Sequence, residues 1–395
     1  MNYILFDSSF RNNLLPLTFT RPVADLRIGI LTIREKWELM LNEKTSTLTE
    51  PYLAVKYPLV KAESNILING AVCPTAELIE QINKLKSGET LVKGESLIAM
   101  CLKADSLDNF GNESSDDIAT ISTDLDFIKI ENTWDLFHFN DRAIREDYTL
   151  LTKGRKSQKL STTNRVVNQE NIFVEEGAVV EFAIINASTG PVYIGKNAEI
   201  MEGSKVRGPL ALCDHAVLKM DAKIYGATTI GPYSKVGGEV NNSVILGYSN
   251  KAHDGFLGHS VLGEWCNLGA DTNTSNLKNT YEEVKLWSYA EEAFVATGLQ
   301  FCGLIMGDHS KSGINTMFNT GTVVGVNANI YGSGFQRNFV PSFSWGGTHG
   351  FADFDLNKAL KIAEAVYARK GKAFDKIESS ILKEIYSLTH KNRRA

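Results

Sequence analysis

The sequence has no CxxC pair: its five cysteines, at 73, 101, 213, 266 and 302, are scattered and odd in number. That pattern excludes a disulfide framework and a thiolate zinc site, and is the usage expected in a reducing compartment. Basic residues are not in excess, with 41 Lys+Arg against 46 Asp+Glu and a net charge of −5. Nucleic acid and anionic membrane are therefore not expected partners. No apolar run approaches the ~18 residues that span a bilayer. The opening MNYILFDSSFRNN lacks a basic stretch followed by an apolar one, so no signal peptide is expected and the cytoplasm is the expected location. What remains is ordinary: 395 residues, 43% hydrophobic and 22% charged, enough for two or three domains.

The most informative feature is a period of six. From Ile194 an aliphatic residue recurs at Ile200, Val206, Leu212, Leu218, Ile224, Ile230 and Val236, eight in phase. Two positions before each lie Val192, Ala198, Ser204, Leu210, Ala216, Ala222, Thr228 and Ser234, mostly small. Neither a helix (3.6) nor simple strand alternation (2) explains this spacing. A hexapeptide β-helix does: each short strand sends one aliphatic side chain inward and then turns a corner. Gly195, Gly203, Gly226, Gly231 and Gly237 suit those turns.

The phase breaks near Asn241 and returns at Leu262 and Leu268, then at Phe318, Val324 and Ile330. The stretches between, SNKAHDGF and TSNLKNTYEEVKLW, are expected as loops ejected from the solenoid, where sites commonly lie. Helical spacing of Leu356, Leu360, Ala363 and Val366, then of Ile377, Ile381 and Ile385, predicts one or two capping helices.

The first part of the chain reads as α/β. YILF and NILIN are buried-strand candidates, and RPVADLRIGILTIREKWELML reads as a helix with Leu26, Ile30, Ile33, Trp37 and Leu41 on one face. LDNFGNESSDD is expected as a loop. The domain expectation is an α/β domain over 1–150, a basic linker over 151–172, a β-helix over 173–350 and helices over 351–395.

Several motifs resemble one family. NKAHDGFLGHSVLGEWCNLGADTNTSN (250–276) is similar to the acetyltransferase segment of bifunctional UDP-N-acetylglucosamine pyrophosphorylase/glucosamine-1-phosphate acetyltransferases, and FVATGLQ to a later motif of that segment. The resemblance implies an α/β nucleotidyltransferase-like domain followed by a left-handed parallel β-helix with a helical tail. It also implies acetyl-CoA as co-substrate, a homotrimer, and an amino-sugar phosphate or nucleotide amino sugar as acceptor. His253 falls on the family's catalytic base, Phe256 on a substrate-contacting tyrosine, Asn267 and Asn276 on two site asparagines, and Thr297 on a serine near the acetyl group. The family's phosphate-gripping lysine maps onto Asn241, so Lys251 or Lys223 is the candidate to supply that charge. Lys311 is the candidate for the coenzyme A phosphates.

LLPLTFTRP and LINGAVCP resemble segments of sugar-1-phosphate nucleotidyltransferases. The glycine-rich loop is replaced by DSSFRNN, the lysine after Arg-Pro by Val23 and the metal-binding aspartate by Ala71. Those changes remove phosphate-facing amides, a charge and a Mg²⁺ ligand. Asp7, Arg11, Arg21 and Arg27 are the candidates for a rebuilt nucleotide or sugar-phosphate site taking UTP or dTTP, with Mg²⁺ only if that half is active.

Acetyl transfer from a thioester needs a neutral amine, an acceptor for its proton and support for the oxyanion, and an imidazole suits the proton. Asp254 adjoins His253, but neighbours on an extended strand point apart, so the orienting group is expected elsewhere. Three alternatives stand beside this one. The first is an active nucleotidyltransferase whose β-helix serves assembly. The second is a zinc trimer of the γ-carbonic-anhydrase kind, with His253 and His259 six apart on equivalent faces and His215 as a third ligand. The third is a binding protein with both sites lapsed.

Overall fold

The computed structural model describes residues 2–110 and 119–393. They form two compact units. One comprises residues 1–11, 21–26 and 31–131; the other comprises 12–20, 27–30 and 132–395.

The first unit is built on a six-stranded sheet. Thr45–Leu48, Asn2–Phe6 and Ser64–Asn69 run parallel, and Ser96–Lys103 joins antiparallel, followed by Glu89–Lys93 and Ala119–Ser122. Ile4, Leu5, Leu67 and Ile68 are wholly buried, as expected of central strands. The long helix expected over 21–41 is shorter: Ile33–Leu41 is α-helical, and before it Val23–Asp25 makes a single 3₁₀ turn. The reason is local. Gly29 takes the left-handed φ of 72°, and Thr32 starts the helix with a capping box, accepting from Glu35 N–H while the Glu35 carboxylate accepts from Thr32 N–H. Of the polar stretch LDNFGNESSDD, residues 111–117 lie outside the described residues, and Leu107–Asn109 end a 3₁₀ turn.

In the second unit the six-residue period becomes a parallel β-solenoid with three faces. Each in-phase aliphatic lies on the next face round: Ile194 on the first, Ile200 on the second, Val206 on the third, and Leu212 back on the first, paired with Ile194. All eight are buried and share one core. At the corner between first and second faces the chain takes φ of 53–62° in coil after coil, at Asn197, His215, Tyr233, Tyr248, Trp265, His309, Asn327 and Phe343. The aromatic members stack one on another, with ring centroids 4.6 Å apart for His215–Tyr233, 5.1 Å for Tyr233–Tyr248 and 4.3 Å for Tyr248–Trp265.

The period fails near Asn241 because the coil shortens, not because it opens. Leu212 and Ile230 pair across 18 residues, whereas Ile230 pairs with Ile245 across 15 and Ile245 with Leu262 across 17. SNKAHDGF is consequently not an ejected loop: Asn250–Lys251 is a strand of the second face and Phe256–Gly258 one of the third. The second expected excursion is present. After Asn273–Thr274 the chain leaves the coil, forms the hairpin Lys285–Ser288/Ala293–Ala296, and returns at Leu304–Met306. Trp287 of that hairpin stacks on Phe339 of the solenoid at 4.4 Å. Helices Leu356–Ala368 and Lys376–Leu388, capped by Asp355 and Asp375, follow, with Tyr367 stacked on Trp265 at 4.0 Å. The third face already begins at Arg165–Val167, paired with Ile184–Asn186.

Candidate functional site

The His253 corner joins the second face to the third. Lys251 enters it in register with Val236, on the column that points into the core, and is only 2% exposed. A lysine there cannot reach solvent; its Nζ instead donates to Gly237 O (3.1 Å) and His253 O (2.7 Å). Burial pushes its pKa down to about 8, opposed by Asp254 and Asp271. The turn lies between neighbouring coils: a Cβ on Gly238 would stand 2.9 Å from His253 O, and one on Gly255 2.2 Å from Thr272 O. Lys251 is thus an internal anchor of the backbone at His253, whose own side chain stays exposed.

Beyond the corner, Phe256–Gly258 is the last strand of the main third-face sheet. Phe256 N–H donates to Asn273 Oδ1 at 2.9 Å. Its ring folds back along the strand, since a Cβ on Gly258 would meet Phe256 Cζ and Asn276 Nδ2, both at 2.5 Å. Phe256 is in register with Glu239, and Glu239 with Lys223. Lys223 therefore stands two strands from Phe256 on one outward column, roughly 10 Å away by strand spacing. Lys223, Phe256 and Asn276 share this face, with His253 at its entry.

Asn267 and Lys311 belong elsewhere, paired in register on the second face. Lys311 Nζ donates to His309 O at 2.8 Å, and burial lowers its pKa to about 8. Thr297 is buried in the excursion, its Oγ1 donating to Val284 O at 2.8 Å. The structure so divides the resemblance set into a third-face group, a second-face pair and one hairpin residue.

The third corner holds what the sequence reading passed over. His259, weighed from the sequence as a zinc ligand, lines a cavity of about 270 Å³ with Phe137, His138, Asn242, Leu299, Gln300 and Phe301. The Asn276 amide meets its Nδ1 at 2.9 Å and the Asn242 amide its Nε2 at 3.3 Å. Asn242 is itself oriented by Ala227 N–H, which donates to its Oδ1 at 2.8 Å. Phe301 stacks on the imidazole at 5.2 Å and Phe137 meets it edge-on at 5.8 Å. Burial pushes His259 down to about 4, so the ring is neutral near pH 7 and its one acceptor nitrogen takes a hydrogen bond from one of the two amide nitrogens. No periodicity announces this cluster, because Phe137, Asn242, His259 and Phe301 are far apart in sequence.

The equivalent-face expectation for the histidines fails. His215, His253 and His259 lie at three different corners, because six residues advance the chain by one face and not by one coil. Among the described residues no group of three His, Cys, Asp or Glu is placed to hold a metal ion. The five cysteines are buried and none is in a disulfide.

In the first unit a cavity of about 550 Å³ opens beyond the C-terminal ends of the parallel strands Asn2–Phe6 and Ser64–Asn69, where open α/β sheets hold ligands. Asp7, Ser8, Arg11, Thr49, Asn69 and Lys129 are in its wall. Asp7 is committed internally: Thr49 Oγ1 donates to Oδ2 at 2.5 Å, Val23 N–H to Oδ1 at 2.8 Å, and Arg11 lies 3.4 Å away. Burial still holds its carboxyl above the usual range. Arg11 also donates to Tyr52 Oη at 2.9 Å and sits 3.7 Å from Glu50. Arg21 is buried and is not a lining residue, while Arg27 belongs to the other unit, donating to Ile30 O. Lys129, which the sequence reading missed, donates to Ser96 Oγ (2.5 Å) and Glu131 (2.6 Å).

A family model described as sugar nucleotidyl transferase matches residues 3–156. A bifunctional sugar-1-phosphate nucleotidylyltransferase/acetyltransferase of Sulfurisphaera tokodaii is 29% identical over 144 residues, 36% of this chain and 35% of that protein. An uncharacterized acetyltransferase, YaiX, of Escherichia coli is 27% identical over 154 residues, 38% of this chain and 66% of its own length. The bifunctional protein GlmU of Methanocaldococcus jannaschii is 31% identical over 120 residues, 30% of this chain and 26% of its own. The chain thus spans between a quarter and two-thirds of the length of these curated relatives. Residues 3–156 match the sugar nucleotidyl transferase family model, and parts of the chain are similar, at 29–31% identity, to bifunctional nucleotidylyltransferase/acetyltransferases, consistent with a divergent form.

Proposed function

We propose that the chain is a transferase whose solenoid moves the acetyl group of acetyl-CoA to the amine of an amino-sugar phosphate, such as glucosamine 1-phosphate, or of a nucleotide amino sugar. The observation that carries this is the His253 corner: an exposed imidazole on a backbone anchored from inside by Lys251, at the entry to the face bearing Phe256, Asn276 and Lys223. The amine nitrogen attacks the thioester carbonyl, its proton passes to the His253 imidazole, the C–S bond breaks, and that proton leaves with the coenzyme A thiol. Lys223 is assigned to the sugar phosphate, and Lys311 with Asn267, on the second face, to coenzyme A. The reading includes a homotrimer in the cytoplasm, so that third-face and second-face groups of neighbouring chains meet at one site.

His253→Ala should lower acetyl transfer to glucosamine 1-phosphate by ~10²-fold or more with the fold intact. Undiminished turnover in that variant would reject the base assignment.

For the first unit, the family match supports nucleotide or sugar-phosphate binding in the cavity beside Arg11 and Lys129. The residues present fit Mg²⁺ poorly: both Asp7 oxygens already accept hydrogen bonds, Glu50 lies beside Arg11, Glu95 is the one further carboxylate of the wall, and Ala71 stands where the resemblance places a metal aspartate. Binding of UTP or dTTP without Mg²⁺-dependent pyrophosphate release is the expected outcome. Steady release with a sugar 1-phosphate would overturn it.

A further inference from the structure

The cavity at His259 is unlike the other surfaces of the solenoid. Its lining residues include no Lys, Arg, Asp or Glu. It presents two phenylalanine rings, Phe301 41% exposed and Phe137 buried, two side-chain amides, Asn242 and Gln300, and the imidazoles of His138 and His259. At about 270 Å³ it is smaller than the ~300–1,000 Å³ of drug-sized sites, and so has room for one ring, not for a nucleotide. A phosphate would find no Lys or Arg there. A flat apolar wall beside a few fixed amide donors and acceptors is the composition that recognises an uncharged polyhydroxylated ring.

The cavity is also built, not incidental. Asn242 is held by Ala227 N–H and donates to Asn241 Oδ1 at 2.9 Å. The returning excursion is tied down where Gly303 N–H donates to His259 O (2.8 Å) and Cys302 N–H to Asn276 O (2.9 Å), which seats Phe301 over the imidazole. Through Asn276 and Gly258 the cluster adjoins the Phe256 ring.

We propose that this third-corner cavity binds an uncharged pyranose-type ring, stacked against Phe301 with its hydroxyls on the amides of Asn242 and Gln300. His259, bridging Asn242 and Asn276, is a positioning residue that fixes how their amides point. Identification of this ring as the sugar of the acetyl acceptor rests on the acetyltransferase reading; ring binding itself does not.

The test uses the full chain with N-acetylglucosamine as probe, followed by saturation-transfer NMR and titration. Transfer to the probe's ring protons is expected, and Phe301→Ala or Leu299→Trp should weaken binding about tenfold or more, the effect of about 1.4 kcal/mol. Met220→Ala, an exposed site elsewhere, should bind as wild type. Both cavity variants alter surface-accessible side chains, and circular dichroism and melting curves confirm the fold. No transfer at tens of millimolar probe, or equal binding in both cavity variants, overturns the proposal. Ring binding in a wild type that transfers no acetyl group would sink the acetyltransferase reading and leave the cavity standing. Acetyl transfer with an unchanged KM in Leu299→Trp would leave the acetyltransferase reading standing and overturn the identification of the ring as the acceptor's sugar.

Discussion

A lysine on the inner column of a solenoid is costly, because burial disfavours its charge and two carbonyls replace water imperfectly. Lys251 occupies such a position, where Val236 stands in the coil before, and it is spent on anchoring the turn at His253. Lys251→Met should therefore hold or raise the melting temperature while lowering acetyl transfer by roughly tenfold or more; equal loss of both would mark the lysine as purely structural. Its pKa gives a second signature. The folded value is near 8 and the unfolded one near 10.5, so between those pH values the unfolded chain holds more protons and stability rises with pH. Urea titrations from pH 8 to 10.5 should show that rise in the wild type and a weaker one in the methionine variant. His259 gives the same sign at lower pH: with a folded value near 4, stability should fall as pH drops from 6.5 toward 4, and His259→Gln should flatten that slope. Lys251 has the residue type of a phosphate-binding cation, but burial, which sequence does not display, removes it from the surface.

At the scale of elements, the first corner is a stack of rings in left-handed backbone, sealed by the C-terminal helix through Tyr367 on Trp265. Trp265→Ala empties the centre of that stack and should cost about 3–5 kcal/mol in chemical denaturation. Limited proteolysis should then cut first within 356–388; cutting elsewhere would show that the helices are held by other contacts. Element legibility followed periodicity. Eight in-phase aliphatics specified eight strands, since an inward position every third of a coil is the only arrangement that buries them all. Where coils shortened to 15 and 17 residues the phase slipped, and strands read as loops. The over-long helix at 21–41 had the opposite origin: apolar spacing continued through Gly29 and Thr32, whose backbone preferences ended the helix before its pattern did.

At the scale of the molecule, the two units are interleaved along the chain. Segments 12–20 and 27–30 belong with the solenoid. Within that unit Gly29 N–H donates to Asn140 Oδ1 (2.8 Å), Thr229 Oγ1 donates to Gly29 O (2.8 Å), and Thr20 Oγ1 donates to Asp308 at 2.8 Å. A fragment of residues 132–395 loses these bonds and leaves the buried Asn140 and Thr229 with only the bonds Thr229 Oγ1 to Asn140 Oδ1 (3.0 Å) and Asn140 Nδ2 to Ala227 O (3.0 Å). It should melt below the intact chain; an identical melting curve for the solenoid transition would refute that. Among the described residues no helix is long and apolar enough to cross a membrane.

The amino-acid sequence alone determined the solenoid, the α/β beginning and the helical end, because each is written as a local period that one core can satisfy. It also pointed to His253, Phe256 and Asn276 through adjacent motifs. Only the tertiary structure decided which of those residues share a face, that Lys251 points inward, and that His259 meets Phe137, Asn242 and Phe301. Those relations depend on coil length and on residues more than a hundred positions apart, and no local pattern encodes either.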